Sequence, residues 1–350
     1  MTELHFVLPN DIDNPAEPSG GNGYDRRISG GLTGLGWTVR EHAIHGDWPQ
    51  ANDAGRARVA ETLTTLRDGA VVLLDALVAA AVPDAITPHR DRLRLVALVH
   101  MPFGDESVAL RCSEGAMLDA MTAVVTTSSW TRQRLLDLYP LTAGRVHVAA
   151  PGVDEAPLTR GSAHGTELLC VAAVTPRKGH DLLIRALATL ADHSWNCLCV
   201  GSISRDPAFV EHVRELRRTF GLTDRVRLAG SRTGGDLDAA YAAADLLVLP
   251  SHGESYGLVV TEALARGIPV LATAANGLPE ALGCAPDGSL PGILVPPGNS
   301  AALAGGLHSW LGDPDLRRRL RRSAHDRRAT LDRWAKPSEI ISHVLSEVTA

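Results

Sequence analysis

Short apolar runs recur along this chain, each followed by a helix-like stretch and then another apolar run. That alternation constrains the fold more than any other feature of the sequence. Runs such as Asp245-Leu-Leu-Val-Leu-Pro250 are apolar almost throughout, as expected of strands buried on both faces in a parallel sheet with helical crossovers. In the first half, strands are expected at residues 4–8, 38–44, 70–75, 93–100, 123–127 and 146–149, with helices at 24–35 and 129–138. The second half repeats the plan, with strands at 168–174, 197–201, 226–229, 246–249, 269–272 and 292–295. Helices are expected there at 179–190, 207–220, 237–243 and 257–266.

A chain of 350 residues suits two domains of about 150 residues each. Residues 1–150 form the first and 166–333 the second, joined by a linker at 151–165 rich in Gly, Pro, Ser and Thr. Ile340, Ile341, Val344 and Val348 recur at helical spacing near the end, so residues 334–350 are read as a C-terminal helix that could cross back to the first domain. The fold class is therefore α/β, with two Rossmann-like parallel-sheet domains facing a cleft, where ligands bind at the carboxyl ends of the strands.

A net charge of −6 gives no global attraction for nucleic acid. The first apolar run is too short for a signal peptide and no stretch nears the roughly 20 apolar residues of a membrane span, so the cytoplasm is the expected compartment. The five scattered cysteines, Cys112, Cys170, Cys197, Cys199 and Cys284, read as free thiols, because Cys197 and Cys199 alone cannot close a zinc site. Between Arg317 and Arg328 stand seven arginines. A peripheral contact with anionic lipid through them is conceivable, but a solvated helix face is favoured because little apolar surface accompanies them. Lys178 and Lys336 are the only lysines, so a lysine at 178 was not the default cation of this chain.

The chemistry concentrates in Pro250-Ser-His-Gly-Glu-Ser-Tyr-Gly-Leu-Val-Val-Thr-Glu262. A buried strand ends, a loop carrying Glu254 follows, and a helix opens near Gly257. Its unpaired amides and partial positive charge suit a diphosphate. Glu262 lies too far inside that helix to cap it, and is placed to accept hydrogen bonds from a ribose diol. This stretch, with Ala263-Leu-Ala-Arg-Gly-Ile-Pro-Val270 and Gly277-Leu-Pro-Glu280, resembles the E-x7-E region of the family-four retaining glycosyltransferases of GT-B fold. The resemblance implies that Glu254 meets the donor sugar, Glu262 the ribose, and Tyr256, Gly257 and Leu258 the phosphates, with Ser255 also in the donor site.

Val174-Thr-Pro-Arg-Lys-Gly-His-Asp-Leu-Leu183 leaves the first strand of the second domain and enters a helix. Lys178 and Arg177 at its mouth can neutralise charge growing on a departing diphosphate. The family's upstream arginine falls near Ala173 here, so Arg177, or another arginine such as Arg232, would have to stand in. In the first domain, Pro18-Ser-Gly-Gly-Asn-Gly-Tyr24 is similar to the family's glycine loop, which implies phosphate contacts at Gly20 and Gly21. Asn22, Asp25 and Arg26 are candidates on the acceptor side. His100 ends a strand where the family places a histidine near the donor sugar and the reacting bond. Asp11-Ile-Asp13 and Asp236-Leu-Asp238 are read as structural, so no metal is expected.

The resemblance implies a metal-independent, retaining hexosyltransferase that takes a nucleotide-diphosphate sugar, UDP by default, and an unknown small-molecule or glycan acceptor. The first domain would be the acceptor side and the second would bind the nucleotide sugar. The catalytic set would be His100, Lys178 and Glu254, with no cofactor beyond the co-substrate. Two alternatives remain: a sugar-nucleotide epimerase of the same fold, and a non-catalytic nucleotide-sugar-binding protein.

Overall fold

A computed structural model describes residues 2–349. Two compact units emerge: one of residues 2–13, 19–152 and 333–349, and one of residues 14–18 and 153–332.

The first unit is built on a six-stranded, wholly parallel sheet of order β2-β1-β3-β4-β5-β6. Its strands are β1 (Glu3–Pro9), β2 (Thr38–Ile44), β3 (Val71–Asp75), β4 (Arg94–Val99), β5 (Ala123–Thr126) and β6 (Val146–Val148). The inner strands β3 and β4 are buried along almost their whole length, as a sheet covered by helices on both faces requires. The helix Ala335–Glu347 belongs to this unit. It packs on the helix Gly20–Gly34, and Ile341, Val344 and Leu345 enter the same core as Leu4, Ile28 and Leu32. Gly31 allows the close approach, since a β-carbon there would stand 2.0 Å from Ser338 Oγ.

The second unit carries β7 (Glu167–Val171), β8 (Asn196–Val200), β9 (Val226–Leu228), β10 (Leu246–Leu249), β11 (Val270–Thr273) and β12 (Gly292–Val295). These form a six-stranded parallel sheet of order β12-β11-β10-β7-β8-β9. Counted within the unit, that is the doubly wound order 3-2-1-4-5-6, whose direction of winding reverses between β7 and β10. Ligand sites of open α/β sheets lie beyond the carboxyl ends of the strands at this reversal.

Two expectations need correction. The first helix begins at Gly20, not at residue 24, because Ser19 in extended conformation accepts the Asn22 N–H and caps it. Gly20 and Gly21 therefore form its first turn and are not a free loop. The strand expected to reach residue 174 ends at Val171, and the chain bends there into a 3-10 turn at Pro176–Lys178.

The arginine-rich helix Pro314–Arg327 is an internal strut. Arg321 pairs with the buried Asp245, and Arg317 donates to the Trp310 and Leu311 carbonyls. Arg327 and Arg328 donate to the Leu282 and Ala156 carbonyls. No helix among the described residues is long and apolar enough to cross a membrane. The five cysteines are free. Cys170 and Cys199 stand opposite one another in the β7–β8 register.

Candidate active site

In the second unit, the two loops that leave β7 and β10 meet. Gly179 has φ +68°, and a β-carbon there would stand 2.2 Å from the Pro250 carbonyl oxygen. Only glycine suits both the left-handed backbone and that approach. It carries Lys178 alongside the loop after β10, where Lys178 Nζ lies 2.5 Å from Glu254 Oε1. Ser251 Oγ donates to the same oxygen at 3.0 Å, and Thr273 Oγ1 donates to the Ser251 carbonyl at 2.5 Å. Glu254 is buried, so its charge is balanced by one cation and one hydroxyl, as a buried carboxylate requires.

The helix Leu258–Ala265 opens directly after this loop. Gly257, at φ +100°, is its N-cap and offers no side chain to the first-turn amides. The same holds for Gly179 before the helix His180–Ala188. Ser255 and Tyr256 complete the loop, which is braced from outside: the Gly277 N–H donates to the Glu254 carbonyl at 2.8 Å. A β-carbon on Gly277 would stand 2.0 Å from Ser255 O. Arg177 is exposed in the 3-10 turn, and its carbonyl accepts from the His252 N–H at 2.8 Å.

Glu262 sits one turn into the helix, and its Oε2 accepts from the Tyr241 hydroxyl at 2.7 Å. Arg266 stacks on the Tyr241 ring at 4.5 Å and pairs with Asp238. Burial raises the Glu262 carboxyl above its ordinary range, and the Tyr241 bond and the Arg266 charge pull back against it. Tyr241 itself is fully buried. Sequence reading overlooked it because an aromatic on a helix reads as core.

In the first unit, a second constellation gathers at the carboxyl ends of β3 and β4. His100 Nε2 lies 2.8 Å from Asp25 Oδ1, and the edge of Tyr24 meets the His100 ring at 5.4 Å. Gly21 packs against that ring, since a β-carbon on it would stand 3.3 Å from His100 Cδ2. Asp75, the last residue of β3, joins them: one carboxylate oxygen each from Asp25 and Asp75 and a ring nitrogen of His100 lie within 4.8 Å of one another. The signal for Asp75 was an acid closing an otherwise apolar run at a strand's carboxyl end. Among the described residues this trio is the one group of His, Cys, Asp and Glu spaced to hold a metal ion.

The remaining acceptor-side candidates are occupied by the fold. Asn22 Nδ2 donates to the Asp11 carbonyl at 3.1 Å. Arg26 pairs with Asp13 and Glu41, which places the first acidic triplet in a structural role. Gly20 occupies the first helical position beside Gly21.

Residues 163–327 match the family model described as glycosyl transferases group 1, and both the Lys178–Glu254 pair and Glu262 fall inside that span. The chain is related to the group 1 glycosyltransferases. It is 36% identical over 228 residues to the D-inositol 3-phosphate glycosyltransferase of Salinispora tropica, covering 58% of this chain and 46% of that protein. The chain spans under two thirds of the length of the curated relatives it matches. Among solved structures, a sucrose-phosphate synthase from Thermosynechococcus elongatus superposes with a TM-score of 0.82 at 20% identity, covering 99% of both chains. Anabaena HepE, solved with UDP and glucose, superposes with a TM-score of 0.79 at 18% identity, covering 99% of this chain and 100% of that one. The two-sheet architecture of this group 1 relative is thus the GT-B fold.

Proposed function

We propose that this chain is a metal-independent, retaining glycosyltransferase. It moves a hexose-type sugar from a nucleoside diphosphate donor, UDP in the first instance, to a hydroxyl acceptor. One observation carries the reading. A lone lysine and a buried glutamate meet on the two loops flanking the strand reversal of the second sheet, beside a helix start that no side chain caps.

In this proposal the diphosphate lies against the amides that follow Gly257, with Tyr256 and Leu258 contributing backbone groups. Lys178 neutralises the charge that grows on the diphosphate as the bond to the anomeric carbon breaks, and Arg177 supplements it where the family arginine is replaced by Ala173. Glu254 accepts hydrogen bonds from the sugar being transferred, and Glu262 from the ribose. His100 keeps the part that the resemblance gives it, toward that sugar. The acceptor oxygen bonds to the anomeric carbon on the face the diphosphate leaves, and its proton passes to a leaving phosphate oxygen. No carboxylate acts as nucleophile and configuration is retained. The curated relatives make D-inositol 3-phosphate the first acceptor to test, because that substrate is in their name.

The full chain is incubated with UDP-, GDP- and dTDP-sugars, with and without that acceptor and a chelator, and the products are resolved by mass and anomeric configuration. Transfer or slow donor hydrolysis that survives chelation supports the proposal. An isomerised donor makes the protein an epimerase, binding without turnover makes it a nucleotide-sugar-binding protein, and loss of turnover on chelation removes metal independence.

A further inference from the structure

The trio at the carboxyl ends of β3 and β4 contains an atom that the fold leaves unsatisfied. Asp25 is fully buried. Its Oδ1 is bonded to His100, yet its Oδ2 is shut off from solvent and has no donor. A buried carboxylate oxygen without a donor bears the full penalty of its lost hydration, and such atoms are rare in native folds. Asp75 is also buried. Its Oδ1 accepts the Leu77 N–H at 2.8 Å, and one of its carboxylate oxygens lies within 4.8 Å of an Asp25 oxygen and of a His100 ring nitrogen. Two buried carboxyl groups this close cannot both be ionised without severe repulsion.

We infer that Asp75 keeps its carboxylic proton and donates it to Asp25 Oδ2, while Asp25 Oδ1 accepts from the imidazolium Nε2–H of His100. The three side chains thus hold two protons in a fixed chain that positions His100. Each hydrogen bond then has a donor and an acceptor, and the orphan oxygen is satisfied by a neighbouring group of the same cluster. Asp25 and Asp75 are positioning residues. Gripped from both ends, Asp25 cannot swing, and the imidazole it holds keeps one orientation and its charge.

The groups facing the trio agree with this distribution. The helix Gly20–Gly34 supplies Tyr24 and Asp25, and the Tyr24 hydroxyl is spent on the Ala149 carbonyl at 2.8 Å. Past β5, Thr127 Oγ1 donates to the His100 carbonyl, not to its ring. The charge that acts most strongly on His100 is that of Asp25. Burial raises Asp75, the Asp25 charge adds to it, and its pKa comes to about 7, so the chain holds both protons below that pH. Burial alone would depress His100, but the Asp25 charge and hydrogen bond outweigh it and lift the imidazole to about 9. A divalent ion bound by the same three groups is the competing occupant, and the test reads for it.

That His100 acts on the transferred sugar rests on the function proposed above; the proton chain itself does not. The test follows the His100 ring by NMR in the full chain with labelled histidine, across pH 5–10, using His100→Gln to assign the signal. Asp75→Asn keeps both the Leu77 cap and a donor toward Asp25. Asp75→Leu removes the donor and keeps the space dry. Asp75→Ser retains a capping hydroxyl, falls short of Asp25, and covers the case of a leucine variant that does not fold. His100 is expected to stay protonated to about pH 9 in the native protein and in Asp75→Asn. In the leucine or serine variant Asp25 loses a donor and becomes the stronger base, so the proton it shares with His100 should be held at least ~10-fold more tightly and lost at higher pH. Equal titration in all forms overturns the inference, and so does a stoichiometric divalent metal that purifies with the native protein and is lost from Asp75→Asn. A chain that shows the expected titrations but turns over no sugar nucleotide keeps the proton chain and removes only the part given to His100.

Discussion

Gly179 rests against the Pro250 carbonyl so closely that no side chain fits between them, and that contact brings Lys178 to Glu254. The pair depends on a glycine that belongs to neither charge. Gly179→Ala should therefore impair turnover much as Lys178→Ala does, although it removes no charge. Each should lower kcat by ~10²–10³-fold, the range for losing one group that stabilises developing negative charge. Steady-state kinetics with the donor found active would check this. An alanine at 179 with native kcat would show that the approach to Pro250 does not place Lys178.

The Tyr241 hydroxyl holds one Glu262 oxygen and helps keep the carboxyl ionised against burial. Tyr241→Phe should raise the donor KM by ~5–10-fold, about the net worth of one ordinary hydrogen bond. It should leave kcat within ~2-fold, because the ribose is remote from the reacting bond. With that bond gone the Glu262 pKa rises further, so the acid limb of kcat/KM should move to higher pH. An acid limb that stays put, or moves down, would remove Glu262 from nucleotide recognition.

Asp245 is buried at the start of β10 and gathers four donors: the Ser162 N–H and hydroxyl, the Glu167 N–H and Arg321. It ties the linker to the sheet and the arginine-rich helix to both. Asp245→Ala takes the carboxylate from Arg321 and leaves the Ser162 and Glu167 amides without their acceptor, and should cost about 3–5 kcal/mol, read as a lower urea midpoint. A shift worth under ~1 kcal/mol would mean that water replaces the carboxylate.

The trio in the first unit gives the protein a pH dependence of definite sign. In an unfolded chain Asp75 would lose its proton near pH ~4 and His100 near ~6.5, against about 7 and about 9 in the fold. Between each pair of values the folded state binds the extra proton, so both groups make stability fall as pH rises. The contribution of Asp75 is lost from about pH 4 to 7, and that of His100 from about 6.5 to 9. The stability of the native protein minus that of Asp75→Asn, from denaturant titrations, should therefore decline between about pH 4 and 7 and then level off. A difference that grows over that range would show that Asp75 is ionised in the fold.

Much of the architecture was legible because burial on both faces leaves a plain mark. All twelve expected strands form, and those at 38–44, 246–249 and 292–295 have the bounds expected of them. Boundaries failed where a polar residue intervened: Ser19 captured the start of a helix that its glycines seemed to exclude. The candidate residues were legible unevenly. Lys178 stood out in a chain that otherwise uses arginine, and Glu254 and Glu262 stood out by spacing. Asp75 and Tyr241 did not, since each closes or joins an apolar segment and gains its meaning from a partner far along the chain.

The sequence by itself determined that two parallel sheets would form, where their strands would run, and which loops would carry the charged side chains. Those are matters of local pattern: apolar periodicity, glycine and proline punctuation, and helix starts. Only the tertiary structure decided that Lys178 would lie against Glu254, that Arg26 would be spent on Asp13 and Glu41, and that Asp25 would be sealed between His100 and Asp75. A side chain's charge and protonation depend on what burial takes away and which partner it is given. Both are set by strands that neighbour one another in the sheet but lie tens of residues apart in the chain.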